Sequence, residues 1–101
     1  MKIISVAEED TNVMFGLLGI QGYEIKAQNS REFQIQFDKI LQDETIGVIL
    51  LNEKYLIRFK DYFRKIKIQK SPMIVEIPDM QSSLKDDYFQ VLVEKFIGLS
   101  V

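Results

Sequence analysis

Ser71-Pro72-Met73-Ile74-Val75-Glu76-Ile77-Pro78-Asp79 is the stretch that decides the fold. Pro72 cannot continue the helical pattern that precedes it. Met73, Ile74, Val75 and Ile77 then form a short, largely β-branched apolar run, and Pro78 ends it because proline has no N–H to give a ladder. The stretch reads as a buried strand clipped by proline at both ends, with a polar loop directly after it. In a parallel α/β sheet, loops at the carboxyl ends of strands are where ligands and partners are met.

Working outward, three earlier apolar runs precede this one at similar spacing: Lys2–Ala7, Tyr23–Ala27 and Ile46–Leu51. Each leads into a helix-period stretch, the rhythm of repeated βα units. Asp10 or Thr11 caps a first helix carrying Val13, Met14, Leu17 and Leu18, closed near Gly19–Gly22. Ser30 opens a second, whose stripe Phe33, Phe37, Ile40 and Leu41 follows i, i+4, i+7, i+8 spacing. Asn52 is a good cap for a third with Leu56, Phe59, Phe63 and Ile66. After Gln81–Lys85, Asp86 or Asp87 opens a last helix bearing Phe89, Leu92, Val93 and Phe96, with Gly98 as the stop.

The first and third runs are nearly all apolar, as expected of central strands covered on both faces. The second alternates with Glu24 and Lys26 and the fourth carries Glu76, which marks both as edges. Right-handed crossovers then predict a three-layer α/β fold around a four-stranded parallel sheet in order 2-1-3-4, a shortened flavodoxin/Rossmann-like arrangement. Residues 1–101 form a single α/β domain, with the helix over 86–98 a candidate mobile element.

Composition narrows the chemistry. Lys+Arg number 13 against 15 Asp+Glu, a net charge of −2, which argues against nucleic acid as the main partner. The chain has no Cys and no His, so disulfides, thiol and imidazole catalysis and structural zinc sites are excluded. An apolar fraction of 47% is that of an ordinary globular domain. The amino terminus is too short for a signal peptide, and runs such as Val48–Leu51 are far below membrane-span length. The expectation is a cytoplasmic domain with no direct membrane insertion.

The turn after the first strand, Ala7-Glu8-Glu9-Asp10, is where a doubly wound fold would hold phosphate or metal. It has no glycine for a pyrophosphate, and its three carboxylates repel one. A Mg²⁺-dependent phospho-acceptor receiver also needs an aspartate at the end of strand three, where this chain has Leu51-Asn52. Glu8, Glu9 and Asp10 are better read as complementing the positive end of the first helix. No catalytic, cofactor-binding or metal residue is therefore assigned.

Arg58, Lys60, Arg64, Lys65, Lys67 and Lys70 make the third helix and its exit basic. They could meet an acidic partner, but a solvated helix face is the preferred reading. The last helix is more telling, because Tyr88, Val91 and Ile97 widen its apolar surface beyond one stripe. Such a helix is either well-buried core or one that packs on the sheet with one side and on another protein with the other.

Taken together, Lys2-Ile3-Ile4-Ser5-Val6, the acidic turn, Phe15-Gly16-Leu17-Leu18-Gly19, Asn52-Glu53 and Pro72-Met73-Ile74-Val75-Glu76-Ile77-Pro78 resemble the small central-stalk F subunit of the V-type (A/V-type) rotary ATPases of bacteria and archaea. The resemblance spans essentially the whole chain. It departs at Glu8-Glu9, where the family often has Gly-Asp, and at Asp79, where it has serine. It implies a non-catalytic rotor component that binds the long coiled-coil D subunit of the central stalk, with the catalytic head and membrane ring as indirect partners. Its implied place is cytoplasmic, peripheral to the membrane, coupling ATP hydrolysis or synthesis to H⁺ or Na⁺ transport. The alternative is a degenerate receiver-like signalling domain. The expected partner interface comprises Ile77, Pro78, Asp79, Tyr88, Val91 and Leu92, at the strand-four loop and the last helix.

Overall fold

A computed structural model of the chain describes residues 1–66 and 72–78. Its elements run β1 (Lys2–Val6), α1 (Glu9–Gly16), β2 (Gln21–Tyr23), α2 (Ser30–Leu41), β3 (Ile46–Asn52), α3 (Glu53–Arg58), α4 (Lys60–Ile66) and β4 (Met73–Ile77). The strands form a four-stranded sheet in the order β2-β1-β3-β4. All three pairings are parallel, so the predicted order and edges hold.

Topology explains the layers. The chain moves one way from β1 to β2 and the other way from β2 to β3 and on to β4. Right-handed crossovers therefore put α1 on one face and α2, α3 and α4 on the other. The two cores follow this division. On one face Ile4, Val6, Ile49 and Leu51 meet Phe33, Phe37, Tyr55, Phe59 and Phe63. On the other, Ala7, Leu50 and Ile77 meet Phe15, with Leu18, Ile20, Val48 and Val75 packed against them. Alternate residues of one strand serve opposite faces, which is the strand period of two.

The larger core is aromatic. Phe33 stacks on Phe59 with ring centroids 4.2 Å apart and on Phe37 at 5.6 Å. Phe63 meets Phe37 edge-on at 5.1 Å. Each such pair adds about 0.5–1.5 kcal/mol beyond the area it buries. At the rim, the buried Tyr62 hydroxyl donates to Asp38, tying α4 to α2.

Local signals set the helix ends. Asn29 Oδ1 accepts from the Glu32 N–H at 2.9 Å, while the Glu32 carboxylate accepts from the Gln28 N–H at 2.8 Å. This is a reciprocal capping arrangement one residue ahead of Ser30, the expected start. Asn52 caps α3 as expected, its Oδ1 accepting from the Lys54 N–H at 3.0 Å. After α1, Gly19 N–H donates to Gly16 O and Ile20 N–H to Phe15 O, with Gly19 at φ 84°. That left-handed turn is the Schellman ending, which glycine accommodates without strain.

Four expectations need correction. The second strand is Gln21–Tyr23, not Tyr23–Ala27. Tyr23 is already the register partner of Val6, and β1 ends there, so nothing remains for residues 24–27 to pair with. The first helix buries Thr11 and Phe15, whereas Val13 and Leu17 are exposed at 59% and 82%. The bulky Phe15 selects the inward face, and Val13 and Leu17 fall outside it. The N-cap of that helix is Glu8, which makes no side-chain capping hydrogen bond, and not Asp10 or Thr11, because the helix already begins at Glu9. The single third helix is two, broken at Phe59 (φ −119°, ψ 39°). The break lets Tyr55 before it, Phe59 at it, and Tyr62, Phe63 and Ile66 after it all reach the same core.

Candidate functional site

The carboxyl ends of β1, β2 and β3 point to one side of the sheet, because the strands are parallel. Between them lies an open cleft of about 720 Å³. It sits where the connections from β1 diverge, the switch point at which open α/β sheets form crevices.

Its walls come from three segments. The β1–α1 turn brings Glu8, Glu9 and Asp10, and the stretch after β2 brings Glu24, Ile25, Lys26, Ala27 and Gln28. The first turns of α3 bring Lys54, Tyr55 and Arg58, and Glu32 of α2 completes the lining. Glu9 and Asp10 occupy the first turn of α1, where their charge complements the helix dipole as expected. Among the described residues no group of three or more carboxylates is arranged to hold a metal ion.

Electrostatically the cleft is two-sided. Glu8 forms an ion pair with Lys54 across it, joining the β1–α1 turn to α3. Glu24 and Lys26 pair more loosely at 3.8 Å. Arg58 lies over the Phe59 ring, 5.2 Å from its centroid. At the floor, burial pushes the Tyr55 phenol above its ordinary pKa, and the nearby Glu24 carboxylate adds to this while Arg58 opposes it.

Three buried polar atoms gather around this end of the sheet without a hydrogen-bond partner: Glu8 Oε2, Thr11 Oγ1 and Asn52 Nδ2. Asn52 and Thr11 are 0% and 1% exposed. An unmade buried hydrogen bond costs about 1–3 kcal/mol.

Of the residues expected at the partner interface, Ile77 and Pro78 lie within the described residues. Ile77 is fully buried in the smaller core and pairs in register with Asn52. Its side chain therefore holds the strand end, and the half-buried Pro78 is the surface group beside it. Asp79, Tyr88, Val91 and Leu92, together with the 86–98 helix, lie outside the described residues. Of the basic run, Arg58, Lys60, Arg64 and Lys65 are exposed on α3 and α4, while Lys67 and Lys70 also fall outside.

Sequence reasoning singles out the acidic turn but misses Glu24, Lys26 and Lys54 as its neighbours. The first two read as outward residues of an edge strand as long as that strand is placed over residues 23–27. Lys54 carries a usable signal, since it follows the strand-three cap by two residues.

Parallel strands, helices on both faces and a polar crevice over the strand ends define a small doubly wound α/β module. No individual curated protein matches the chain. A protein-family model does, over residues 3–93, and the chain belongs to that family, the ATP synthase (F/14-kDa) subunit. It is thus a component of a rotary ATPase complex. Among the described residues no helix is long and apolar enough to cross a membrane.

Proposed function

We propose that this chain is a non-catalytic central-stalk component of a V-type ATPase. It binds the coiled-coil subunit of that stalk and turns with it. In that place it helps to couple ATP hydrolysis or synthesis in the catalytic head to H⁺ or Na⁺ movement through the membrane ring. It works at the cytoplasmic side, peripheral to the membrane. The observation that carries this reading is the family match, which takes in all but the ends of the chain. The fold supports it in kind: β3 ends in Asn52, whose oxygen is committed to the Lys54 N–H, so the strand end is built to position a helix.

The proposed interface lies at the β4 end and beyond it. Ile77, Pro78 and Asp79 form its edge, and Tyr88, Val91 and Leu92 supply apolar contact. Interfaces of this kind concentrate their energy in a few aromatic and aliphatic anchors. The test is the Tyr88→Ala/Val91→Ala double variant, measured for affinity toward the coiled-coil subunit and for thermal melting. The expected result is weakened binding, by about 1–3 kcal/mol per anchor, with an unchanged melt. Unchanged affinity would move the interface elsewhere, and failure of the unaltered chain to bind the coiled coil would overturn the stalk assignment itself.

A further inference from the structure

The side chains of Glu8, Thr11 and Asn52 belong to one corner of the fold. Asn52 is the last residue of β3. Leu50 of that strand serves the smaller core and Leu51 the larger, so the strand period of two turns the Asn52 side chain toward the α1 layer. Its neighbours across the sheet agree. Ile77 is its register partner and Ala7 stands one step past the Val6–Leu51 pair, and both lie in the smaller core. Glu8 follows Ala7 directly and is the N-cap of α1. Thr11 comes three residues later, over the same side of the first turn, and is one of the two residues that α1 buries.

Two of these side chains are half committed to a single residue. Asn52 Oδ1 accepts from the Lys54 N–H at 3.0 Å, and one Glu8 carboxylate oxygen pairs with the Lys54 ammonium. What is left over is complementary. Asn52 Nδ2 donates, Glu8 Oε2 accepts, and Thr11 Oγ1 can do both, yet none of the three has a partner. Thr11 and Asn52 are 1% and 0% exposed, so bulk solvent does not serve them.

We propose that these three groups bind one buried water molecule, which accepts from Asn52 Nδ2, donates to Glu8 Oε2 and takes the Thr11 hydroxyl as its third partner. The chemistry of the donor set selects this ligand. A divalent cation takes oxygen ligands, but Asn52 offers its amide N–H side here, and the Lys54 ammonium already answers the carboxylate. An anion would be set against Glu8. A small neutral molecule that both donates and accepts fits all three groups, and about three hydrogen bonds to otherwise unsatisfied buried groups is the usual setting of an internal water.

The water joins the β1–α1 turn to the β3–α3 junction, two connections that lead to opposite faces of the sheet. It also steadies the Glu8 carboxylate in the orientation that meets Lys54. Glu8 and Lys54 line the crevice, whereas Thr11 and Asn52 do not. The ion pair in the crevice wall is thus backed from beneath by a polar network. This inference is independent of the stalk reading and would stand or fall without it.

The test is a crystal structure of the full chain at a resolution that shows ordered water, together with urea denaturation of Thr11→Val and Thr11→Ser. The expected density is a single peak at about 2.7–3.2 Å from Asn52 Nδ2, Glu8 Oε2 and Thr11 Oγ1. Thr11→Val removes the hydroxyl at nearly constant shape, and should lower the folding equilibrium constant about fivefold to tenfold. Thr11→Ser keeps the hydroxyl, and its crystal structure should keep the peak. An equal or greater stability of Thr11→Val would overturn the site, because removing a hydroxyl that bonds to nothing relieves a cost instead of adding one. Asn52 Nδ2 bonded directly to Glu8 Oε2, or a peak within reach of only one of the three atoms, would overturn it as well. Should Thr11→Val fail to fold, the density in the unaltered chain decides the matter alone.

Discussion

Gly22 of β2 passes so close to Asn12 of α1 that a Cβ built on the glycine would stand 2.6 Å from the Asn12 Cβ and Cγ. The contact matters because Asn12 is itself fixed. Its Oδ1 accepts from Ser5 Oγ at 2.7 Å, and its Nδ2 donates to Ala7 O at 2.9 Å. Helix α1 is thereby fastened to β1 and pressed against β2 by one side chain.

The Gly22→Ala variant should therefore lose about 1–3 kcal/mol, since the clash falls on the root of Asn12 and not on a flexible tip. Gly16→Ala is the control. Nothing lies within 4 Å of a Cβ there, and at the end of α1 the change should be neutral or stabilising by up to about 1 kcal/mol. Urea denaturation of the two variants checks the contrast.

Ile4 and Ile49 are both fully buried in the larger core. Ile4→Asp or Ile49→Asp should cost several kcal/mol, on the order of the whole stability of a domain this size. Glu24→Lys, at an exposed position just beyond the edge strand β2, should change stability by well under about 1 kcal/mol. Denaturation midpoints that reversed this order would be incompatible with a sheet centred on β1 and β3.

Burial, and then the hydrogen bond to Asp38, push the Tyr62 phenol far above its ordinary pKa, and burial raises Tyr55 as well. Both groups are favoured in their neutral form by the fold. Their contribution is whole below the unfolded tyrosine pKa of about 10 and is lost as pH climbs above it. Phenolate absorbance should therefore rise in two stages, the later one coinciding with loss of secondary structure by circular dichroism. Tyr62→Phe should lessen the alkaline destabilisation. A single early stage involving every tyrosine would contradict the buried placement.

A phospho-acceptor at the end of β3 would need a free carboxylate. The residue there is Asn52, fully buried, with its oxygen accepting from the Lys54 N–H. Incubation with acetyl phosphate and Mg²⁺ should leave the intact mass unchanged. A stoichiometric increase by one phosphoryl group would revive the receiver-like reading.

Strand existence, order and edges are legible in the sequence because β-branched runs, prolines and the Asn52 cap report on local backbone and on two-sided burial. The inward face of α1 is not. Val13, Met14, Leu17 and Leu18 form a plausible apolar stripe, yet packing buries Thr11 and Phe15 with Leu18 against the same core and leaves Val13 and Leu17 exposed, a decision made by the size of one ring against the sheet. The end of β2 escapes for a similar reason: it is set by where β1 stops, and no residue within 23–27 encodes that. The crevice is half legible. Its acidic wall is contiguous in sequence, whereas the cation that answers it arrives from α3, and only the fold brings Glu8 and Lys54 together.

The parallel pairing has a consequence for how the chain reaches its native state. No two neighbouring strands are joined by a hairpin, and Lys2 must find Ile46 before β1 is flanked on its longer side. About forty residues of intervening chain must be closed to make that pairing, and non-local closure of this kind slows folding. During synthesis β1 emerges first and waits, able to engage only the three residues of β2 until β3 has followed. The exposed interval falls on Ile3-Ile4-Ser5-Val6, an apolar strand edge open to other chains. Early availability of an assembly partner, or of a chaperone, should therefore raise the yield of folded chain more than any later stabilisation can.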